Sequence, residues 1–308
     1  MSMFSALGLA LASLLVPGVS HGEAFACPAG GTRDAVVTLE TRLAGVPALL
    51  RVPPTITGPP VLLWHGFGPP ASERALMEML PLDDVAALKV YLGLPLFGAR
   101  APAPGELARR QAEDLASEVF EPVVMAAAEE LPAVLGALQR IGCMRPDDRI
   151  GLFGFSAGGA AVLFALAERD VPVAGAVVLN ASTGLGTSVA AYERTTGKSY
   201  PWNDRARALA QRSDAVKRAD AIAAGDPPPA LRIVQGTADA MLTPEPALAL
   251  QQALAPRYGA HAGQRLHLEL VEGMPHNVTD ADTVAGLRAS VVDWFNRFLD
   301  AADVQDGA

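Results

Sequence analysis

Short apolar runs alternate with helical patterns along most of the chain, an order that favours a layered α/β fold. Eight segments are predicted to be strands because they are short and rich in apolar, often branched, residues. They are residues 36–40, 48–52, 61–64, 88–92, 149–153, 173–179, 231–235 and 266–271. The first two flank a Gly-containing turn and predict an antiparallel edge hairpin. The others are separated mostly by helical patterns, so we expect a mostly parallel central sheet flanked by helices.

The helical patterns fall where such a sheet needs its connections. Residues 72–80 form one predicted helix, which Ser72 is placed to cap. Residues 123–138 have helical spacing, and Pro132 inside them predicts a kink or a split into two helices. Further surface and closing helices are predicted within residues 101–117, 160–167, 244–254 and 284–299.

Residues 181–228 break this alternation because they lack clear strands and are polar and helical in pattern. We interpret them as a small helical insertion that acts as a lid or cap. Insertions at the carboxyl end of a sheet usually shape the pocket. The alternative interpretation is a solvent-exposed surface segment without a role at the site.

The amino-terminal stretch differs in kind from the rest. Residues 3–16 are apolar, and Ala24-Phe25-Ala26 then resembles a signal-peptidase site, so residues 1–26 are a predicted signal peptide and 27–308 the mature domain. Secretion or a periplasmic location follows. No Lys or Arg precedes the apolar run, which leaves a cytoplasmic protein open, and Cys27 leaves a lipid anchor open. The run is too short and too interrupted for a membrane span.

The charge and the cysteines exclude some classes of function. The 308 residues carry a net charge of −9 and no Lys/Arg cluster, which argues against a nucleic-acid partner. The length suits one large α/β domain. Cys27 and Cys143 lack the spacing of metal ligands, so we expect no metal site. Two cysteines are compatible with one disulfide or with two free thiols.

The most informative motif is Gly154-Phe155-Ser156-Ala157-Gly158-Gly159, a G-x-S-x-G pattern between a predicted strand and a predicted helix. This context is typical of a nucleophile elbow, in which a strained serine projects above the sheet. Glycines at the flanks are expected because the turn is too sharp for side chains. An ordinary glycine-rich turn with an incidental serine is the alternative.

A nucleophilic serine needs a base and an acid that orients the base. Asp239 and His276 each follow a predicted strand, and such loops gather at one end of a parallel sheet. His276 is the candidate base and Asp239 the candidate acid. His65 ends a strand and is a rival base, although its His-Gly-x-Gly context suggests a different role. The other candidates suit these roles less well. His267 lies inside a strand, His261 lies in a loop with no strand end, His21 falls in the predicted signal peptide, and Glu245 begins a helix.

The oxyanion of an acyl-transfer reaction needs two backbone donors. Ala157, which follows the serine, is one candidate. The second is expected from His65-Gly66-Phe67-Gly68, where glycines let the backbone approach a substrate. We choose the N–H of Phe67, with Gly68 as the fallback; a plain turn at the strand end is the alternative.

Four motifs together resemble the α/β-hydrolase superfamily over residues 36 to the end. In chain order they are His65-Gly66-Phe67-Gly68, Gly154-Phe155-Ser156-Ala157-Gly158-Gly159, Gly236-Thr237-Ala238-Asp239 and Pro275-His276. Within it the chain is similar to dienelactone-hydrolase-like proteins and to esterases or lipases. Dienelactone hydrolases commonly use a cysteine nucleophile, whereas Ser156 stands here, which favours ordinary esters. The resemblance implies a triad of Ser156, His276 and Asp239.

We therefore expect a serine esterase that cleaves a small-molecule ester through an acyl-enzyme on Ser156 and needs no cofactor. Aromatic residues are expected to bind the substrate, namely Phe67, Phe155, Tyr192 and Trp202. A serine peptidase of the prolyl-oligopeptidase type and a non-catalytic binding protein on the same fold are the alternatives. The oligomeric state stays open.

Overall fold

The structure is a computed structural model that describes residues 35–299. The predicted signal peptide (residues 1–26) and Cys27 lie outside the described residues. Within them, Cys143 is buried and disulfide-bonded. No helix in this part of the chain is both long and apolar enough to cross a membrane.

All eight predicted strands are present and form one sheet in the order β1-β2-β4-β3-β5-β6-β7-β8. Only β1 with β2 and β2 with β4 pair in antiparallel fashion, and the remaining strands are parallel. The expectation of a mostly parallel sheet with an edge hairpin is thus confirmed. The strands are β1 Val37–Leu43, β2 Val46–Val52, β3 Val61–Trp64, β4 Lys89–Leu92, β5 Ile150–Phe155, β6 Val173–Leu179, β7 Ala230–Gly236 and β8 Leu266–Val271.

Helices cover both faces of this sheet. The α-helices are α1 Glu73–Met79, α2 Glu106–Asp114, α3 Ala126–Glu129, α4 Leu131–Arg140, α5 Ala157–Glu168, α6 Leu185–Thr196, α7 Asp204–Ser213, α8 Ala219–Ile222, α9 Pro244–Tyr258, α10 Ala262–Arg265 and α11 Ala281–Leu299. A π-helical segment, Leu115–Met125, joins α2 to α3, and short 3₁₀ turns occupy Gly98–Arg100 and Gly259–His261. As predicted, the Ser72 hydroxyl caps α1 by accepting from the N–H of Ala75.

The sheet separates two apolar cores. Strands β3 and β5 are buried along their whole length, as central parallel strands covered on both faces must be. The larger core packs α5, α9 and the π-helical segment against one face, and the smaller one packs α1 and α11 against the other. This burial fixes the carboxyl ends of the parallel strands, which carry the predicted functional residues.

The helical region before β5 begins earlier than the predicted helical stretch over residues 123–138. Helical segments follow one another from Glu106 to Glu129, with an extended backbone at Asp114, and Pro122 lies inside the π-helical segment. Proline lacks an N–H and crowds the preceding turn, and a wider turn relieves that crowding. Pro132 lies in the first turn of α4, where proline is tolerated, so the predicted split is confirmed.

Residues 181–228 form α6, α7 and α8 as a helical insertion, which packs on the helical layer of the larger core. Three arginines of the insertion pair with glutamates of that layer: Arg205 with Glu121, Arg212 with Glu129 and Glu168, and Arg218 with Glu168. At its other side, Arg194 of α6 donates to the carbonyl of Met241 at 2.6 Å, in the loop after β7. The insertion therefore joins the helical layer to the end of the sheet.

Asp114 is a junction between the insertion and the π-helical segment. Its Oδ1 accepts from the N–H groups of Ala116 and Ser117, which caps the segment, and from the hydroxyl of Tyr200 in the insertion. A capping carboxylate of this kind satisfies donors that the first turn leaves unpaired.

Replacing this carboxylate is expected to destabilise the fold. Asp114→Ala should lower the free energy of unfolding by about 2 kcal/mol, because the cap and the tyrosine bond are both lost. Tyr200→Phe removes only the second bond and should cost about 1 kcal/mol. Urea unfolding of both variants measures the difference; equal losses would contradict a capping role for Asp114.

Candidate active site

Ser156 occupies the sharp turn between β5 and α5. Its backbone has φ of 54° and ψ of −113°, a strained conformation for a residue with a side chain. The neighbouring chain accounts for the two glycines of the motif. A Cβ on Gly154 would lie 2.2 Å from the carbonyl oxygen of Gly158, and one on Gly158 would lie 2.5 Å from that of His65. The turn therefore forms only with glycine at both positions.

The structure brings Ser156, His276 and Asp239 together in one hydrogen-bonded chain. The Oγ of Ser156 lies 3.1 Å from Nε2 of His276, and Nδ1 of His276 lies 2.7 Å from Oδ2 of Asp239. All three residues are buried, with exposed fractions of 6%, 7% and 2%. A hydroxyl, an imidazole and a carboxylate in this order can activate the hydroxyl as a nucleophile.

Asp239 is fixed by the loop that carries it. Its Oδ1 accepts from the N–H groups of Met241 and Leu242 at 2.9 and 2.8 Å. This leaves Oδ2 directed at the imidazole of His276. The carboxylate is therefore oriented before any substrate arrives, so it favours the tautomer with a proton on Nδ1.

Asn180, at the end of β6, holds the loop of His276 in place. Its Nδ2 donates to the carbonyls of Pro275 and His276 at 3.1 and 3.0 Å, and its Oδ1 accepts from the N–H of Gly236 at 2.8 Å. The side chain is completely buried. Asn180 thus ties the ends of β6 and β7 to the histidine loop.

Gly236 lets that loop come close, since a Cβ there would lie 2.1 Å from the carbonyl oxygen of Met274.

The loop after β3 lies directly against the nucleophile. A Cβ on Gly66 would be 2.9 Å from the Cβ of Ser156, so only glycine permits this approach. The N–H groups of Phe67 and Ala157 donate to no other group within residues 35–299. They are therefore available to an oxyanion beside Ser156.

His65 is buried in this loop and bridges it to the loop after β4. Its Nδ1 lies 2.8 Å from the carbonyl oxygen of Gly66, and its Nε2 accepts from the N–H of Leu94 at 3.3 Å. Burial lowers the pKa of His65 to about 4. His65 is therefore a neutral link between two loops, and His276, not His65, contacts Ser156.

Phe97 is a residue of the site that the sequence analysis missed. Its ring stacks on that of Phe67, with centroids 4.9 Å apart and planes at 11°. Phe97 belongs to the loop that His65 holds through Leu94. The available signal was its position just after strand β4, at the same end of the sheet as Ser156.

Phe155 does not fit the expected substrate contact. It is 1% exposed, belongs to the smaller core, and its ring lies 5.2 Å from the imidazole of His276. Residues two apart on a strand share a face, and Phe153 lies in the same core. Phe155 therefore packs against the imidazole from inside the protein.

Tyr192 and Trp202 are half-buried and pack against the larger core. Trp202 meets the ring of Tyr200 edge to face, with centroids 5.1 Å apart. No contact in the described part of the chain joins either side chain to Ser156 or His276, so their role toward a substrate stays a prediction.

The competing residues lie elsewhere. His261 pairs with Asp226 at 3.3 Å, and His267 is exposed on β8. Glu245 is in the first turn of α9, where hydrogen bonding to Thr243 lowers its pKa. Residues 35–299 contain no group of three His, Cys, Asp or Glu side chains that could hold a metal ion.

Comparison with known sequences gives one family. A sequence profile of the prolyl oligopeptidase family matches residues 128–302, more than half of the 308 residues and all three members of the hydrogen-bonded chain. Among curated proteins, no sequence matches significantly.

Several solved structures share the fold. TT1662 from Thermus thermophilus is 23% identical, with a TM-score of 0.66 over 86% of this chain and 99% of that one. A puromycin-hydrolyzing peptidase of Mycobacterium tuberculosis is 19% identical, with a TM-score of 0.60 over 86% of this chain but 39% of that one. A mutant of the esterase E40 is 21% identical, with a TM-score of 0.53 over 88% and 87%. The predicted α/β-hydrolase fold is thus confirmed.

Removing the amide of Asn180 is expected to loosen the histidine loop. Asn180→Ala leaves the N–H of Gly236 and two carbonyls without their partner, which should cost about 2–4 kcal/mol of stability. Activity at saturating substrate should fall more than KM rises, since His276 is displaced. Asn296→Ala is the control, because it removes an exposed bond to Asp84. Equal effects of the two variants would contradict this role.

The neutral state of His65 predicts an acid-sensitive stability. Its pKa in the fold, about 4, lies below the ordinary value of 6.5. The unfolded chain therefore binds the proton more tightly, and stability falls as the pH drops from about 6.5 to about 4, by up to about 3 kcal/mol. His65→Gln should lack this component. Urea unfolding between pH 7 and 4 compares the two proteins, and parallel profiles would refute the assignment.

Proposed function

The chain belongs to the prolyl oligopeptidase family of serine hydrolases, and we propose that it cleaves carboxylic esters of small molecules through an acyl-enzyme on Ser156. The observation that carries this proposal is the chain of contacts from Ser156 through His276 to Asp239, at 3.1 and 2.7 Å. Apart from water, no step of this reaction needs a group that the side chains and backbone do not supply.

In the acylation step, His276 takes the proton of Ser156 as the Oγ attacks the ester carbonyl. Asp239 stabilises the resulting imidazolium. The N–H groups of Ala157 and Phe67 bind the oxyanion, and the proton on Nε2 then passes to the departing alcohol. Water, activated by the same imidazole, releases the acid and restores Ser156.

The substrate lies along the loops after β3 and β4. The half-buried ring of Phe67, stacked on the buried ring of Phe97, offers an apolar surface on the loop that approaches Ser156, which suits an acyl or alcohol group without charge. Tyr192 and Trp202 are proposed as more distant contacts from the insertion. We assign Phe155 to positioning the imidazole.

A peptidase is the second candidate, favoured by the family match itself. The same three residues cleave an amide if His276 protonates the departing amine. The named neighbours support both activities, since one is a peptidase and another an esterase. Comparing the hydrolysis rates of an amide and an ester with the same acyl group therefore distinguishes the two activities.

The location is a separate proposal. We propose export, with residues 1–26 removed as a signal peptide. The disulfide of Cys143 supports it, because oxidising compartments preserve such bonds.

The test measures hydrolysis of nitrophenyl esters of increasing acyl length, and of nitroanilides of the same acids. Ester turnover is expected to dominate. Ser156→Ala should lower kcat by at least about 10³-fold, whereas Ser199→Ala, at an exposed position, should have no effect. Faster turnover of nitroanilides would favour the peptidase.

Labelling by a fluorophosphonate provides a readout independent of substrate. The label should attach to Ser156 and be lost in Ser156→Ala and His276→Ala. An unlabelled, inactive wild-type protein would favour a binding function over catalysis.

A further inference from the structure

The two outer strands of the sheet are β1 and β8, and they differ in how their open edges are protected. β8 pairs only with β7, so the outward N–H and C=O groups of Leu266–Val271 have no strand partner in the described part of the chain. Unpaired edges of this kind are templates for another strand.

β1 carries charged side chains that disfavour pairing with a further strand. Glu40 pairs with Arg74, and Arg42 donates to the carbonyl of Gly45. Charges on an outer strand oppose pairing with another chain.

β8 instead presents leucine. Its residue Leu270 is 43% exposed and is one of two large apolar residues exposed within residues 35–299, the other being Met241 at 41%. His267 is also exposed, and Leu268 is half-buried.

We propose that β8 pairs with β8 of a second copy of this chain, antiparallel, about a twofold axis that passes through Leu268. The two sheets would then continue into one sheet, with an interface formed by the same residues on both copies. The partner is identified by the sequence of β8 itself, because Leu-His-Leu-Glu-Leu at residues 266–270 is complementary to its own reverse.

The register follows from which residues face one another. In an antiparallel pair, directly opposed residues point to the same side of the sheet. An axis at Leu268 sets Leu268 against its own copy and Leu266 against Leu270. On the other face it sets His267 against Glu269, opposite charges when the histidine is protonated. Each of these cross-strand pairs is favourable.

The neighbouring registers are worse. An axis at Glu269 opposes two glutamates, and like charges directly opposite one another destabilise a strand pair. An axis at His267 opposes two histidines, which repel when protonated and lose the pairing with Glu269.

Glu269 is already held in position for this contact. Its Oε2 accepts from Arg232 at 2.6 Å and from Ser290 at 3.3 Å. Its Oε1 has no hydrogen-bond partner in the described residues, and the side chain is 34% exposed. The free oxygen is available to His267 of the second copy.

The first test measures the mass of the full chain in solution by light scattering and sedimentation velocity. The wild-type protein should be a dimer. Leu270→Lys should raise the dimer dissociation constant at least about tenfold, because it places a charge in each of two symmetric contacts. Met241→Lys is the matched control and should remain dimeric. A monomeric wild type, or a Leu270→Lys dimer of unchanged affinity, would overturn the proposal.

The second test reads the register by disulfide crosslinking. Leu268→Cys should form a covalent dimer under oxidation, since facing Cα atoms lie about 4.5–5.5 Å apart, within disulfide range. Leu270→Cys should not, because its two copies would be about 14 Å apart along the strand. Random collisions would favour the more exposed Leu270→Cys, so that result would refute the register.

The third test uses the charge pair. His267→Glu should weaken the dimer, because it opposes Glu269 with a like charge twice, whereas His267→Lys should preserve it. Equal affinities for the two variants would contradict the pairing of His267 with Glu269.

Discussion

The close passage of three backbone segments at Ser156 is the constraint on which the site depends. Gly154, Gly158 and Gly66 each occupy a place where one added carbon would meet the neighbouring chain at 2.9 Å or less. This crowding forces the strained turn at the serine, and it brings the loop after β3 against the same residue. The burial of β3 and β5 on both faces stabilises the arrangement against that strain.

Buried neutral side chains hold the loops around this turn in position. Asn180 and His65 are completely buried, and each connects loops that are far apart in the sequence. A charged group in either place would have to be desolvated without a full set of partners, at a cost of several kcal/mol. Asn180 also adopts a φ of 44°, which asparagine tolerates better than most residues. The loop of His276 and the loop after β3 are thus held by side chains that carry no charge of their own.

The sequence predicted what depends on local pattern and on the geometry of parallel sheets. All eight strands, the cap at Ser72 and the split near Pro132 follow from local patterns, and Ser156, Asp239 and His276 each follow a strand. The roles of Phe97 and Asn180 were not predicted, because their contacts join separate loops and no local sequence pattern encodes such contacts. The prediction that Phe155 contacts the substrate was wrong, because its side chain lies in the smaller core. Its spacing from Phe153 already places both residues on one face of β5. The π-helical geometry around Pro122 was also not predicted, because the hydrophobic period of about 3.6 residues does not distinguish a π-helical turn from an α-helical one.

The insertion has a consequence for how this protein can change over generations. Its arginines Arg205, Arg212 and Arg218 are matched by Glu121, Glu129 and Glu168 of the helical layer beneath. Exchanging residues 181–228 for a segment without these arginines would leave three carboxylates without partners. A replacement segment therefore matches the helical layer only if it brings cations to the same three carboxylates.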